Sequence, residues 1–422
     1  MRSPLKQKEH YLVEEQFYFA SFLQAGFESS THKRRDGKRL DLVHSTGHDR
    51  FAAKDYLRVQ DFGIRSVRES ARWHLIEGQR GRFDFASLAG MLDAAASTNT
   101  EVILDLLHFG WPEFYDPFTD TFAERFAEFV NATAIFLRHR GAPIRYVAAV
   151  NEISYLAWAG GEEGSIEPCA KNRGPELKRS LVRSAALASR VLLDELPAVR
   201  LVAPEPVIHV VANPLFEGDE VAAAAFRRAQ FEAWDMLSGR TVPELGGRPE
   251  YLDILGVNFY EHNQWVREGE RLSRQENRYR PFREMLSEVW ERYRRPLFVS
   301  ETGTEDERRA DWFDYICNEV AASMASGVPV KGICLYPILN HPGWEDDRRC
   351  CNGLLDYPDE SGNREVHVPL AEAISRQKHR FAGSNSIPNE SFELRRNLLV
   401  PSSMGLRIPE TAASDEEICE RT

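Results

Sequence analysis

A (β/α)8 TIM barrel, an α/β fold in a single domain, is what this chain predicts. Short apolar or β-rich runs recur eight times, at 17–27, 63–69, 101–108, 144–151, 200–209, 253–260, 296–301 and 331–339. Stretches with helical periodicity separate them. Pro112, Pro168, Pro204, Pro206 and Pro342 fall at or beyond the ends of the runs, where long βα loops belong. Strands alternating with helices specify a parallel sheet, and eight such strands close a barrel whose interior is filled by side chains. The rival, a doubly wound open sheet, wants a glycine-rich phosphate turn after the first strand. Gly26 stands alone there.

The helical segments follow from spacing. In 120–140, Phe122, Phe126, Phe129, Val130, Thr133, Phe136 and Leu137 fall on one face by steps of three and four. Segments 51–62, 85–97, 176–196, 219–238, 281–294 and 307–326 behave similarly. From residue 383 the periodicity fades and the chain ends acidic. The expected organisation is a barrel over 1–382 and a tail over 383–422 that wraps the surface or is disordered.

Composition narrows the partners. Apolar residues make up 42% of the 422, enough for a large core. A net charge of −12 argues against nucleic acid or an anionic membrane, both of which want a basic surface. Cys169, Cys317, Cys334, Cys350, Cys351 and Cys419 include no C-x-x-C pair and no zinc spacing. Reduced thiols in a reducing compartment are the plain reading. The N-terminal residues lack an apolar stretch of signal-peptide length, and no run of 18 apolar residues exists. A cytoplasmic protein without a membrane span is expected.

In barrel enzymes the site lies at the C-terminal ends of the strands. The polar residues that end each run are therefore the candidates. Strand two ends at Arg68-Glu69, strand three at His108, strand four at Asn151-Glu152, strand six at Asn258 and Tyr260, and strand seven at Glu301. Strand eight leads to Asn340, His341 and Trp344. Either glutamate alone has an ordinary explanation as a helix N-cap. Together they sit on strands that face each other across the rim, where two carboxyl groups fall roughly 5–5.5 Å apart, the separation of retaining glycosidases.

These residues lie in motifs that resemble glycoside hydrolase family 1. GIRSVRESARW (63–73) is similar to the family's G-V-x-x-Y-R-F-S-I-S-W, and LLHFGWP to L-x-H-[HW]-x-x-P. VNEI is similar to F-N-E-P, GVNFY to G-[IV]-N-Y-Y, and VSETG to [IV]-T-E-N-G. YPILNHPGW lines up with W-S-L-L-D-N-F-E-W. The matches run in family order from about residue 17 to 357. The resemblance implies a retaining β-glycosidase without a metal or other cofactor, acting on a small carbohydrate. It assigns Glu152 as acid/base and Glu301 as nucleophile. Arg68 and Tyr260 would align Glu301, Asn151 would bond the sugar 2-hydroxyl, His108 the 3-hydroxyl, and Trp344 would stack under the ring.

The chain also departs from the pattern. Ile153 replaces the proline after the acid/base, and Tyr336 the first tryptophan of the strand-eight motif. The family's sugar-binding glutamate falls on Gly343 and its N-terminal glutamine on His32. Glu28, His32, Glu345 and Asp346 are candidates to rebuild the pocket; each also has an ordinary alternative as a loop acid or a capping histidine. A transglycosylase would use the same residues, and a sugar-binding barrel without catalysis is a second rival. A metal-dependent barrel hydrolase would want H-x-H after strand one, where His32 is alone. The sequence does not name the sugar.

Overall fold

The protein is described here by a computed structural model covering residues 18–381. Eight parallel strands close a barrel: β1 (Leu23–Gly26), β2 (Ser66–Ser70), β3 (Glu101–Asp105), β4 (Tyr146–Ala148), β5 (Arg200–Pro206), β6 (Ile254–Asn258), β7 (Leu297–Thr302) and β8 (Val330–Leu335). Each pairs with its neighbour in sequence, and β8 pairs with β1 through Leu23↔Ile333 and Ala25↔Leu335. Each of the eight expected runs overlaps one of these strands, to within a residue at the ends. The tail boundary at 382/383 lies outside the described residues.

The helices follow the strands as α1 (His48–Gln60), α2 (Ala86–Thr98), α3 (Phe122–Arg140), α4 (Gly174–Glu195), α5 (Asp219–Arg228), α6 (Phe282–Tyr293), α7 (Arg309–Ala325) and α8 (Val368–Phe381). On α3, Phe122, Phe126, Phe129, Val130, Thr133 and Leu137 are buried as the spacing requires. Arg138, His139 and Arg140 occupy its last turn, where positive charge complements the helix dipole. Gly141 ends it at φ 63°, a left-handed cap that suits glycine. Pro175 opens α4, where a missing N–H costs nothing. Among the described residues, the one long helix that spacing did not single out is α8.

The buried apolar residues form two clusters. The larger lies between strands and helices. The smaller closes the N-terminal end of the barrel: Phe19 packs on Tyr146 and Phe298 at ring distances of 4.7 and 4.9 Å, with Ile103, Val202 and Ile254 around it. The opposite rim is left for polar side chains.

Strand alternation sends neighbouring residues of β2 to opposite faces. Arg68 enters the barrel, while Glu69 turns outward to α1. There His48 bridges Asp55 and Glu69 at 2.7 Å each, and Tyr56 donates to Glu69 at 2.6 Å. Arg364, from the strand Arg364–Val366, donates to both oxygens of Asp55 at 2.6 and 2.9 Å and to the Thr46 carbonyl. This buried network ties α1 and β2 to the segment ahead of α8. Among the described residues no helix is long and apolar enough to cross a membrane.

Burial by itself would lower the His48 pKa, but the Glu69 and Asp55 carboxylates outweigh it and raise it to about 9. A folded pKa above the unfolded value of about 6.5 contributes stability that is complete below 6.5 and lost as pH rises through 9. Denaturant unfolding of His48→Gln against wild type should therefore show its widest stability gap near pH 6, on the order of 3 kcal/mol. The gap should narrow toward pH 10. A gap independent of pH would show that the imidazole is not charged in the fold.

Candidate active site

The C-terminal rim gathers side chains from β2, β3, β4, β6, β7 and β8 around one guanidinium. Arg68 is 1% exposed. Its Nη1 donates to Glu301 Oε1 at 2.7 Å, its Nη2 to Asn151 Oδ1 at 2.7 Å, and its Nε to Asp105 Oδ1 at 3.1 Å. Nη2 also lies 2.7 Å from Asp105 Oδ2. Burial penalises such a charge, but the carboxylates of Asp105 and Glu301 outweigh the penalty and hold Arg68 protonated.

Glu301 is held at both oxygens. Arg68 takes Oε1, and the Tyr260 hydroxyl donates to Oε2 at 2.8 Å. The Tyr260 phenol is pushed well up by burial and by the charge of Glu301, so it stays a donor.

Glu152 is held differently. Its Oε1 accepts one bond, from Asn258 Nδ2 at 2.8 Å. Ser300 Oγ donates to the Asn258 carbonyl oxygen, which fixes the amide with its nitrogen toward Glu152. Asn258 is also the register partner of Glu301 across β6 and β7. Burial, then the negative charge of Glu301, drive the Glu152 pKa well above the usual carboxylate range. Two carboxyl groups on one rim thus sit in different surroundings, Glu301 between a cation and a hydroxyl donor and Glu152 buried beneath an amide. The Glu152 backbone lies in the left-handed region at φ 47°, ψ 59°, strained for a residue with a side chain.

Asp105 also accepts from His108 Nδ1 at 3.0 Å. That bond puts the ring proton on Nδ1 and leaves Nε2 as acceptor. Asn151 Nδ2 and the Tyr336 hydroxyl lie 3.3 and 3.2 Å from Nε2. The tyrosine in place of tryptophan thus meets His108 through its hydroxyl, and its ring packs closely against Gly26. A Cβ at Gly26 would fall 2.0 Å from the Tyr336 ring.

Glu28 and His32 come from the loop after β1. Glu28 is buried, and its Oε1 accepts from the backbone and hydroxyl of Ser30 at 3.0 and 2.6 Å. His32 is wholly buried, yet neither ring nitrogen has a hydrogen-bond partner. Burial lowers its pKa to about 4, against the opposing charge of Glu28, so the ring is neutral. Trp344 stands edge-on to His32 at 5.0 Å and to Phe109 at 5.5 Å. Tyr155 links Trp344 to Trp158, which is 46% exposed. Glu345 and Asp346 are exposed on the loop after β8. The charge of Glu345 is felt at Tyr155, whereas Asp346 turns back to accept from the Arg348 backbone at 3.2 Å.

The structure therefore brings together Arg68, His108, Asn151, Glu152, Tyr260 and Glu301, with Trp344, Glu28 and His32 adjoining. Asp105 was not singled out in the sequence. Its signal was slight: it interrupts the apolar run 101–108 three residues before His108. Among the described residues no group of three or more His, Cys, Asp or Glu is disposed to hold a metal.

No family model matches the sequence, and neither does any curated protein. Solved structures do. A β-glucosidase from Thermotoga maritima in complex with glucoimidazole aligns with TM-score 0.70 at 16% identity, covering 88% of this chain and 98% of that one. The chain shares its fold. The same is true of the AHE enzyme from Alicyclobacillus herbarius (TM-score 0.71, 18% identity, 87% and 98% covered). The castanospermine complex of the Thermotoga maritima β-glucosidase aligns over 88% of this chain and 99% of that chain, with TM-score 0.67 at 16% identity.

Arg68→Met should leave Asp105 and Glu301 buried without their cation. The expected loss in unfolding free energy is about 3–5 kcal/mol, read from urea denaturation. A loss below about 1 kcal/mol would contradict the pairing described here.

Proposed function

We propose that the protein is a retaining β-glycosidase acting on a small carbohydrate or glycoside by double displacement. The observation that carries this reading is the difference between Glu152 and Glu301, one buried beneath an amide with its pKa pushed up, the other fixed between Arg68 and Tyr260. The β-glucosidase fold of the solved structures and the ordered motifs support it.

In the first step Glu301 attacks the anomeric carbon and displaces the leaving oxygen, which takes the proton of Glu152. A glycosyl-enzyme results. In the second step Glu152, now a carboxylate, takes a proton from water, which attacks the same carbon and releases Glu301. Asn151 keeps one N–H beyond its bond to His108 and can offer it to the 2-hydroxyl. The neutral His32 and the second oxygen of Glu28 supply a donor, acceptors and no counter-cation, a set suited to neighbouring hydroxyls. Trp344 offers an apolar face to the C–H side of a ring. Tyr155 and Trp158 continue that wall outward and suit a ring in the leaving group.

Glu301→Gln should abolish turnover of nitrophenyl β-glycosides. Glu152→Ala should lose about 10² to 10⁴ in rate on poor leaving groups and much less on good ones. Azide should rescue Glu152→Ala and yield the β-glycosyl azide; an α-azide would defeat the retaining scheme. The nitrophenyl panel also tells a hydrolase from a barrel that only binds sugar, and added sugar acceptors reveal transglycosylation.

The raised pKa of Glu152 has a direct kinetic consequence. As general acid it works while protonated, so kcat/KM should fall on the basic side at a pH above the ordinary carboxylate range. That limb should disappear from the profile of Glu152→Gln measured on an activated substrate. Its persistence would assign the limb to another group.

A further inference from the structure

An acidic residue between a strand and a helix ordinarily caps the helix with its own side chain. Glu152 does not: no side-chain bond joins it to the turn Ile153–Leu156 that it opens. The neighbouring strand supplies the bond. Glu205, near the end of β5, accepts from the Ser154 backbone N–H at 3.0 Å through Oε2 and at 3.4 Å through Oε1. One residue earlier, the Pro204 carbonyl accepts from the Glu152 backbone N–H at 3.0 Å. Adjacent residues of β5 therefore grip the chain on both sides of the strained Glu152. That leaves the Glu152 carboxyl group free to meet Asn258 and the substrate.

We propose that Glu205 is a positioning residue for Glu152. It caps the turn in place of Glu152, and its charge helps Glu152 retain a proton. The proposal rests on the reading of Glu152 as the acid/base. Glu205 is 2% exposed. Burial raises its pKa to about 7, against the Ser154 and Ile153 amides and the charge of Lys178 on α4. Around Glu152 stand Glu301 from β7, Arg68 from β2, the Asn258 amide from β6, and Glu205 from β5, with the neutral phenols of Tyr260 and Tyr155 close by. Of these, Glu301 and Glu205 hold the proton on Glu152, while Arg68 and Asn258 oppose them. Above pH 7 Glu205 ionises and adds to the first group.

Two variants and two substrates test this. Glu205→Ala removes the cap and should cost about tenfold or more in kcat on a glycoside with a poor leaving group, since small misplacements of a catalytic group are expensive. On a dinitrophenyl glycoside, whose departure needs no acid, the loss should be much smaller. Glu205→Gln keeps an acceptor for Ser154 but not the charge. It should recover most of that kcat while moving the basic limb of kcat/KM to lower pH, on the order of half a unit. Equal losses on both substrates, or an unmoved basic limb, would overturn the proposal, because a merely structural role predicts both. Carboxyl ¹³C spectra of labelled protein separate this outcome from failure of the glycosidase reading. The resonance missing in Glu152→Gln should titrate at lower pH in Glu205→Gln whether or not any glycoside is cleaved. If that resonance moves while wild type cleaves nothing, the positioning role stands and the glycosidase reading falls; an unmoved resonance overturns the positioning role.

Discussion

Everything on the rim is arranged around the charge of Arg68. A guanidinium taken fully out of water is costly, and the cost is offset only when each of its donors meets a well-placed acceptor. Asp105, Asn151 and Glu301 provide those acceptors from three other strands. The pairing is mutual: the cation that needs them also fixes Glu301 in place and, through Asp105, orients His108. Glu301, the Asn151 amide and His108 therefore cannot be adjusted one at a time.

The second constraint is backbone shape. β5 holds the left-handed turn at Glu152 through Pro204 and Glu205, and β6 orients the carboxyl group through Asn258. Glu301 and Glu152 thus meet two different demands with two different devices. One carboxyl group is held by a cation and a phenol, and the pKa of the other is raised by burial and by repulsion from other acids.

The architecture was legible because each strand is buried on both faces and so reads as an apolar run, bounded by residues that end it. The polar rim was legible as a set: any one acid that closes such a run can be a helix cap, but acids, amides, a histidine and an arginine closing six of the eight runs are less readily explained that way. Spacing could not tell which way a rim residue points. Arg68 and Glu69 are adjacent, yet one joins the site and the other joins His48 and Tyr56 beneath α1. Nor could it reveal that the loop after β1 folds Glu28 and His32 inward while the acids after β8 stay exposed, since loop direction depends on tertiary contacts. Glu205 hid inside a proline-flanked run, where its acidity resembled that of any strand-end residue.

The ring of Phe19 against Tyr146 and Phe298 has a consequence at the far end of the barrel. With that end packed by rings, a substrate meets the barrel from the C-terminal rim. Under the proposed chemistry, the leaving fragment and the incoming nucleophile then share one side of the sugar, the side that faces Glu152. The acceptor that ends the cycle is decided partly by how soon that side is cleared, and the residues around it bear on the balance between water and sugar as much as those that break the bond.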